Sequence, residues 1–134
     1  MAAIERHNSG GAWEPTVGYC RVIRAGDLVV VAGSTATMAD GAIAGVGDTY
    51  AQVRQTIENI EAALARVGAT LAEVVRTRVY LTPEASFDGF ARAHVEAFGE
   101  IRPVNTTVVV AALADPRMLV EIEVDAWLSA GGGR

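Results

Sequence analysis

The chain has 134 residues, 51% of them hydrophobic and 20% charged, with a formal net charge of −5. That length suits one domain, taken here as residues 1–134, and is too short for two. An acidic balance without clustered Lys or Arg argues against a nucleic-acid partner, because phosphate binding is chiefly electrostatic.

Other classes fall away on simple counts. Cys20 is the one cysteine, so no internal disulfide can form, and His7 and His94 in no H-x-x-x-H spacing make a zinc site unexpected. No metal and no cofactor is expected. No run reaches the ~20 apolar residues of a membrane span, and the N-terminus with Glu5, Arg6 and His7 lacks a signal-peptide layout, so a cytoplasmic location is expected. The apolar fraction is high for a small monomer, which predicts burial of surface against other subunits.

Residues 1–18 carry Gly10, Gly11, Pro15 and Gly18 and read as a short strand or arm followed by a loop. Tyr19–Ala25 and Leu28–Thr35 read as a hairpin around Gly26-Asp27. The run Leu28-Val29-Val30-Val31-Ala32 does not alternate, which predicts a strand covered on both faces, and Gly33 marks a close backbone approach at its end.

Ala39–Gly47, with three glycines, is a loop. A helix is predicted from Thr49 to Val67, opened by a capping box of Thr49 and Gln52 and stopped by Gly68. Its buried stripe is Val53, Ile57, Ile60, Leu64 and Val67. The strand Glu73–Thr82 alternates Val75, Thr77, Val79 and Leu81 against Val74, Arg76, Arg78 and Tyr80. Ser86 caps a second helix, Phe87–Phe98, with Phe87, Phe90, Ala91, His94 and Phe98 as its stripe.

The stretch RPVNTTVVVAALADPRMLVEIEVDAWL, from Arg102 to Leu128, holds the chemistry. Two strands, Asn105–Leu113 and Leu119–Leu128, are joined by a turn at Asp115-Pro116. Glu121, Glu123 and Asp125 share one face of the second, and Val120, Ile122, Val124 and Ala126 the other; Asn105 and Thr107 share a face of the first. Carboxylates beside small polar groups on a neighbouring strand predict a wet pocket in a dry sheet. Residues 129–134, with Gly131-Gly132-Gly133, form a flexible tail.

The pattern P-x-x-T-x-V-V-V…L…VEIE, the Val-Ala-Gly strand end and the helix and strand QVRQTIENIEAALARVGATLAEVVRTRVYLT resemble the reactive-intermediate deaminase (Rid, or YjgF) family over roughly Tyr19 to Leu128. The element order β-β-β-α-β-α-β-β gives an α+β fold, a mixed sheet with two helices on one face. The resemblance implies a chorismate-mutase-like homotrimer with small-molecule clefts between subunits. It also implies hydrolysis of imines or enamines, with Glu121 placing water and Tyr19, Gly33 and Thr107 lining the cleft. In the family an arginine two residues after the strand-motif proline grips the substrate carboxylate; here that position is Asn105, and Arg102 is a candidate replacement. The alternative is a trimeric binding or scaffold protein that kept the cleft and lost the chemistry.

Overall fold

A computed structural model describes residues 3–129. Eight main elements follow the expected order: β1 (Ile4–His7), β2 (Val22–Ala25), β3 (Leu28–Ser34), α1 (Thr49–Ala65), β4 (Val74–Leu81), α2 (Phe87–Phe98), β5 (Val104–Val109) and β6 (Val120–Trp127). A π-turn at Glu14–Gly18 and a 3-10 turn at Leu71–Glu73 complete them. Within the expected N-terminal arm, Ile4–His7 pairs with β2 as an edge strand. From Ala130 onward the expected tail lies outside the described residues.

The sheet runs β1-β2-β3-β6-β4-β5, so the two strands of the Arg102–Leu128 stretch are not neighbours. β4 lies between them, antiparallel to β6 and parallel to β5. The reason is α2: a strand, a helix crossover and a second strand make a parallel pair on the side the helix covers. β5 therefore becomes an edge, and it ends at Val109, four residues short of the expected Leu113.

Both α-helices cover one face of the sheet. The α1 stripe is buried as its 3.6-residue period requires, with Val53, Ile60 and Leu64 fully enclosed against Val22, Val29, Val31, Val79 and Ile122. Its cap differs from the expected box. Asp48 is the N-cap, accepting from Ala51 N at 3.0 Å, while Thr49 Oγ1 accepts from Ser86 N at 2.9 Å. Gln52, fully buried, donates to Arg117 O at 2.7 Å and accepts from Leu119 N at 2.8 Å, pinning the loop that leads into β6. In α2 the stripe rotates by one position: Phe87 is exposed and Ala93 is buried beside Phe90 and Phe98.

Two register shifts alter which side chains face where. Val75 falls in a shift between Val74 and Arg76, so Val74 turns into the core and Val75 faces solvent, reversing their expected sides. A second shift between Val31 and Ser34 puts Ala32 and Gly33 in an irregular stretch beside β6. Val31 and Leu81 belong to the helix-side core, and within the single chain β3, expected to be covered on both faces, is sealed on that side.

Candidate functional site

The face without helices carries Glu121, Glu123 and Asp125 from β6 opposite Tyr80, Arg78 and Arg76 from β4. Arg78 Nη1 lies 3.3 Å from Glu123 Oε2 and 3.5 Å from Asp125 Oδ2, Arg76 Nε lies 3.6 Å from Asp125 Oδ2, and Tyr80 OH donates to Glu123 Oε1 at 2.5 Å. The acidic row is thus interleaved with positive charge from the adjacent strand, and the self-repulsion its own sequence suggests is relieved at two of three positions. Glu121 is the exception. Among the described residues its carboxylate has no hydrogen-bond or ion-pair partner.

Glu121 is half-buried, and its carboxylate lies against the backbone of Gly33, where any Cβ would collide with Oε2. Glycine leaves the carboxylate room at that position, where a larger residue would push the Glu121 side chain aside; no positive φ is involved. Burial pushes the Glu121 carboxyl above its usual range, Arg21 pulls it down, and Glu123 pushes it up, with burial prevailing. An unpaired carboxylate of raised basicity beside a backbone notch is suited to accept a proton from water.

Arg21, which sequence reasoning did not single out, organises this corner. Its Nη1 donates to Gly33 O at 2.6 Å, its Nη2 donates to Tyr19 OH at 3.3 Å, and its Nε donates to Glu14 Oε2 at 3.2 Å. The guanidinium also sits 5.5 Å from the centre of the Tyr19 ring. Glu14 is 2% exposed and is held by Ser9 N at 2.9 Å and Ser9 Oγ at 2.5 Å. Burial pushes the Glu14 carboxyl up, but the two Ser9 hydrogen bonds and Arg21 outweigh it and hold it below the usual range. The signal was a glutamate and an arginine bracketing a Pro-Gly loop, which only pairing across that loop makes meaningful.

Asn105, Thr107 and Arg102 lie elsewhere. Parallel pairing sets Asn105 beside Thr77 and Thr107 beside Val79, which places both on the helix side of the sheet. Asn105 Nδ2 donates to Thr77 Oγ1 at 3.0 Å, Thr107 Oγ1 donates to Asn105 Oδ1 at 2.9 Å, and Thr77 Oγ1 and His94 Nε2 are 3.0 Å apart. Thr77 thus accepts from the amide and shares a second hydrogen bond with His94, whose direction follows the imidazole tautomer. Burial lowers the His94 pKa, so the ring is neutral. It stacks between Phe90 and Phe98, at 5.3 and 4.8 Å between ring centres.

His94 and Asn105 wall a groove of about 240 Å³ between α2 and the start of β5, floored by Phe90, Val95, Phe98 and Pro103 and edged by Arg102; Thr107 does not line it. Arg102 closes α2 in the left-handed region, φ 60°, its N–H donating to Phe98 O at 2.8 Å. That position usually holds glycine, and an arginine there costs about 1–2 kcal/mol. Arg24 and Arg78 are occupied elsewhere: Arg24 binds Gly26 O and Val67 O, and Arg78 binds Glu123.

The two clusters cannot meet within one copy. Asn105 and Glu121 face opposite sides of the sheet and stand two strands apart, about 10 Å sideways at the usual spacing. The expected common pocket of Glu121 with Asn105 and Thr107 is therefore absent from the single chain, because β4 separates their strands.

A six-stranded mixed sheet with helices on one face and an acid-bearing opposite face is the chorismate-mutase-like α+β architecture. Residues 10–128 match the family described as endoribonuclease L-PSP, and the chain belongs to this family, also known as YjgF/Rid. An uncharacterized protein of Streptomyces coelicolor is 41% identical over 128 residues, 96% of this chain and 95% of that protein. The 3-aminoacrylate deaminase RutC of Acinetobacter baylyi is 30% identical over 112 residues, 84% of this chain and 88% of that one. The crystal structure of a Mycobacterium tuberculosis member of the YjgF/YER057c/UK114 family superposes with a TM-score of 0.84 at 45% identity, covering 93% of this chain and 99% of that one.

Proposed function

We propose that this chain is a single Rid-like domain acting as a hydrolase of reactive imine or enamine metabolites, releasing ammonia without metal or cofactor. The observation that carries the reading is the unpaired, half-buried Glu121 carboxylate of raised basicity, set against Gly33 and facing the Tyr19–Arg21 pair. Glu121 accepts a proton as water attacks the imine carbon, the nitrogen takes up a proton, and collapse of the carbinolamine leaves a carbonyl and ammonia. An imine carbon is already electrophilic, so holding it and placing water suffices. The resemblance to a named 3-aminoacrylate deaminase supports a small enamine or imine acid as substrate.

The reading needs a second copy. Glu121, Tyr19 and Gly33 stand on one face and Asn105, Thr107 and Arg102 on the other, so a complete cleft forms when the open sheet face of one protomer meets the groove of the next, as in a cytoplasmic homotrimer. Among the described residues no helix is long and apolar enough to cross a membrane. The family description as endoribonuclease fits less well, because the net charge is −5 and Arg76 and Arg78 on that face are committed to Asp125 and Glu123.

A second reading has its own observation. The Asn105 amide is already engaged by Thr77 and Thr107, which suits a binding protein for a ligand other than a 2-imino acid. Ammonia release from freshly generated 2-iminopropionate, 2-iminobutyrate and 3-aminoacrylate separates the two. Acceleration over buffer on any of them supports the hydrolase; buffer rates on all three, from an assembled protein, leave the binding protein.

A further inference from the structure

One guanidinium holds together the corner around Glu121 without bonding to it. The Arg21 Nε reaches Glu14, its Nη2 reaches Tyr19 OH, and its Nη1 reaches Gly33 O, with Ser34 Oγ at 3.4 Å and Ala32 O at 3.5 Å. Its three nitrogens therefore tie the buried Glu14 anchor, the irregular end of β3 and the Tyr19 ring into one unit. Gly33 is also where the Glu121 carboxylate rests, so acid and guanidinium meet on one residue. A guanidinium only donates, so the Tyr19 hydroxyl accepts here, and among the described residues its own proton has no acceptor.

Charge around Glu121 points to the same side chain. Glu123 follows on β6, and Tyr80 stands opposite on β4 with Arg78 two residues before it. Tyr19 and Arg21 come from the loop before β2, Cys20 between them turns its thiol to Val22 O at 3.8 Å, and Gly33 and Ser34 of β3 carry no ionisable group. Arg78 and Tyr80 are both bound to Glu123, which leaves Arg21 as the cation that bears on Glu121. Burial pushes the Glu121 carboxyl up, Arg21 pulls against it, and Glu123 adds to burial.

We infer that Arg21 is the positioning residue of this site: it holds the Gly33 notch and the Tyr19 phenol in place and offsets the burial of the Glu121 carboxylate with its charge, without touching the reacting atoms. The use of Glu121 as a base rests on the hydrolase reading above; its control by Arg21 does not. A purely structural Glu14–Arg21 pair would fix the loop and leave the proton affinity of Glu121 unchanged on its removal. Lysine separates the two roles, since it keeps the charge but offers a compact ammonium in place of a planar fork serving Glu14, Gly33 and Tyr19 together.

Carbon-13 NMR titration of the Glu121 carboxyl, assigned by its loss in Glu121→Gln, reads this control without any turnover. Arg21→Gln is expected to move the Glu121 midpoint above the parent's, and Arg21→Lys to hold it near the parent's. Ammonia release at neutral pH should fall about ten- to a hundredfold in both variants, because the corner is no longer held. In Arg21→Gln the acid limb of the rate profile also shifts to higher pH, so part of the loss returns as pH is raised; in Arg21→Lys it does not. Arg21→Gln leaves Glu14 buried without its cation, so the double variant Glu14→Gln/Arg21→Gln, which removes both charges, carries the titration if the single one fails to fold. A Glu121 midpoint in the Gln variants equal to the parent's overturns the inference, as does an Arg21→Gln rate profile lowered in height alone. A shifted midpoint alongside a parent that releases no ammonia would sink the hydrolase and spare Arg21; an active parent with an unmoved midpoint would sink Arg21 alone.

Discussion

Glu14 and Arg21 form an ion pair at 3.2 Å in which the carboxylate side chain is 1% exposed and the guanidinium 16%. The pair bridges the loop before β2 to the irregular end of β3, since the same guanidinium binds Gly33 O and Tyr19 OH. It gives the Tyr19–Gly33–Glu121 corner its shape without contacting the acid that would do chemistry.

Removing one partner of so buried a pair leaves the other uncompensated. Glu14→Gln is expected to destabilise the fold by about 3 kcal/mol, read by urea unfolding at neutral pH. Because the folded Glu14 pKa is depressed, its contribution is complete above the ordinary value of 4.5 and is lost as pH falls through the lower, folded value. The parent should lose stability across that acidic window and the Gln variant less of it; parallel curves would show that the pair contributes little.

Glu121 carries the opposite sign. Its folded pKa is raised, so the folded state binds protons more tightly, and stability declines as pH rises from 4.5 to the folded pKa and stays reduced above it. Glu121→Gln should be as stable as the parent at neutral pH or more so. Ammonia release should fall about 10²–10⁴-fold, or to the buffer rate where the total acceleration is smaller. A folded, assembled variant that hydrolyses imines at the parental rate removes Glu121 from the mechanism.

Asn105→Arg places a permanent cation where the family carries one. A charge-assisted pair with a 2-imino acid carboxylate is worth about 1.5–3 kcal/mol, or one to two orders of magnitude in kcat/KM. The variant gives up the bond from Asn105 to Thr77, so its melting temperature must be followed in parallel. No gain on 2-imino acids in a stable variant would mean that the cleft has diverged beyond this position.

His94 is half-buried, and desolvation holds its pKa below the ordinary 6.5. Protonation therefore favours the unfolded chain, and stability is complete above 6.5 and is lost as pH falls through the folded value. His94→Phe should flatten that stretch of the stability curve at the expense of an unpaired Thr77 hydroxyl. NMR titration of the His94 ring showing a pKa at or above 6.5 would defeat this account.

Assembly has a direct check. Light scattering at micromolar concentration should give three times the mass of the 14.0 kDa chain. A monomer would leave Glu121 and Asn105 on faces that never meet, and the hydrolase reading would fall with it.

Much of this protein is legible along the chain because it depends on period and punctuation. The α1 stripe from Val53 to Leu64, the β2–β3 hairpin at Gly26 and the β6 alternation of acids against Val120, Ile122 and Val124 follow from local geometry, which neighbours in sequence suffice to set. Pairing across distance is another matter. That β4 enters between β5 and β6, that Arg78 and Arg76 relieve Glu123 and Asp125 while Glu121 stays unpaired, and that Asn105 turns away from Glu121 depend on which strand lies beside which. Strand order is decided by how α2 must cross and what its apolar face must bury. A single register shift, as at Val75, then reverses the side that a residue faces.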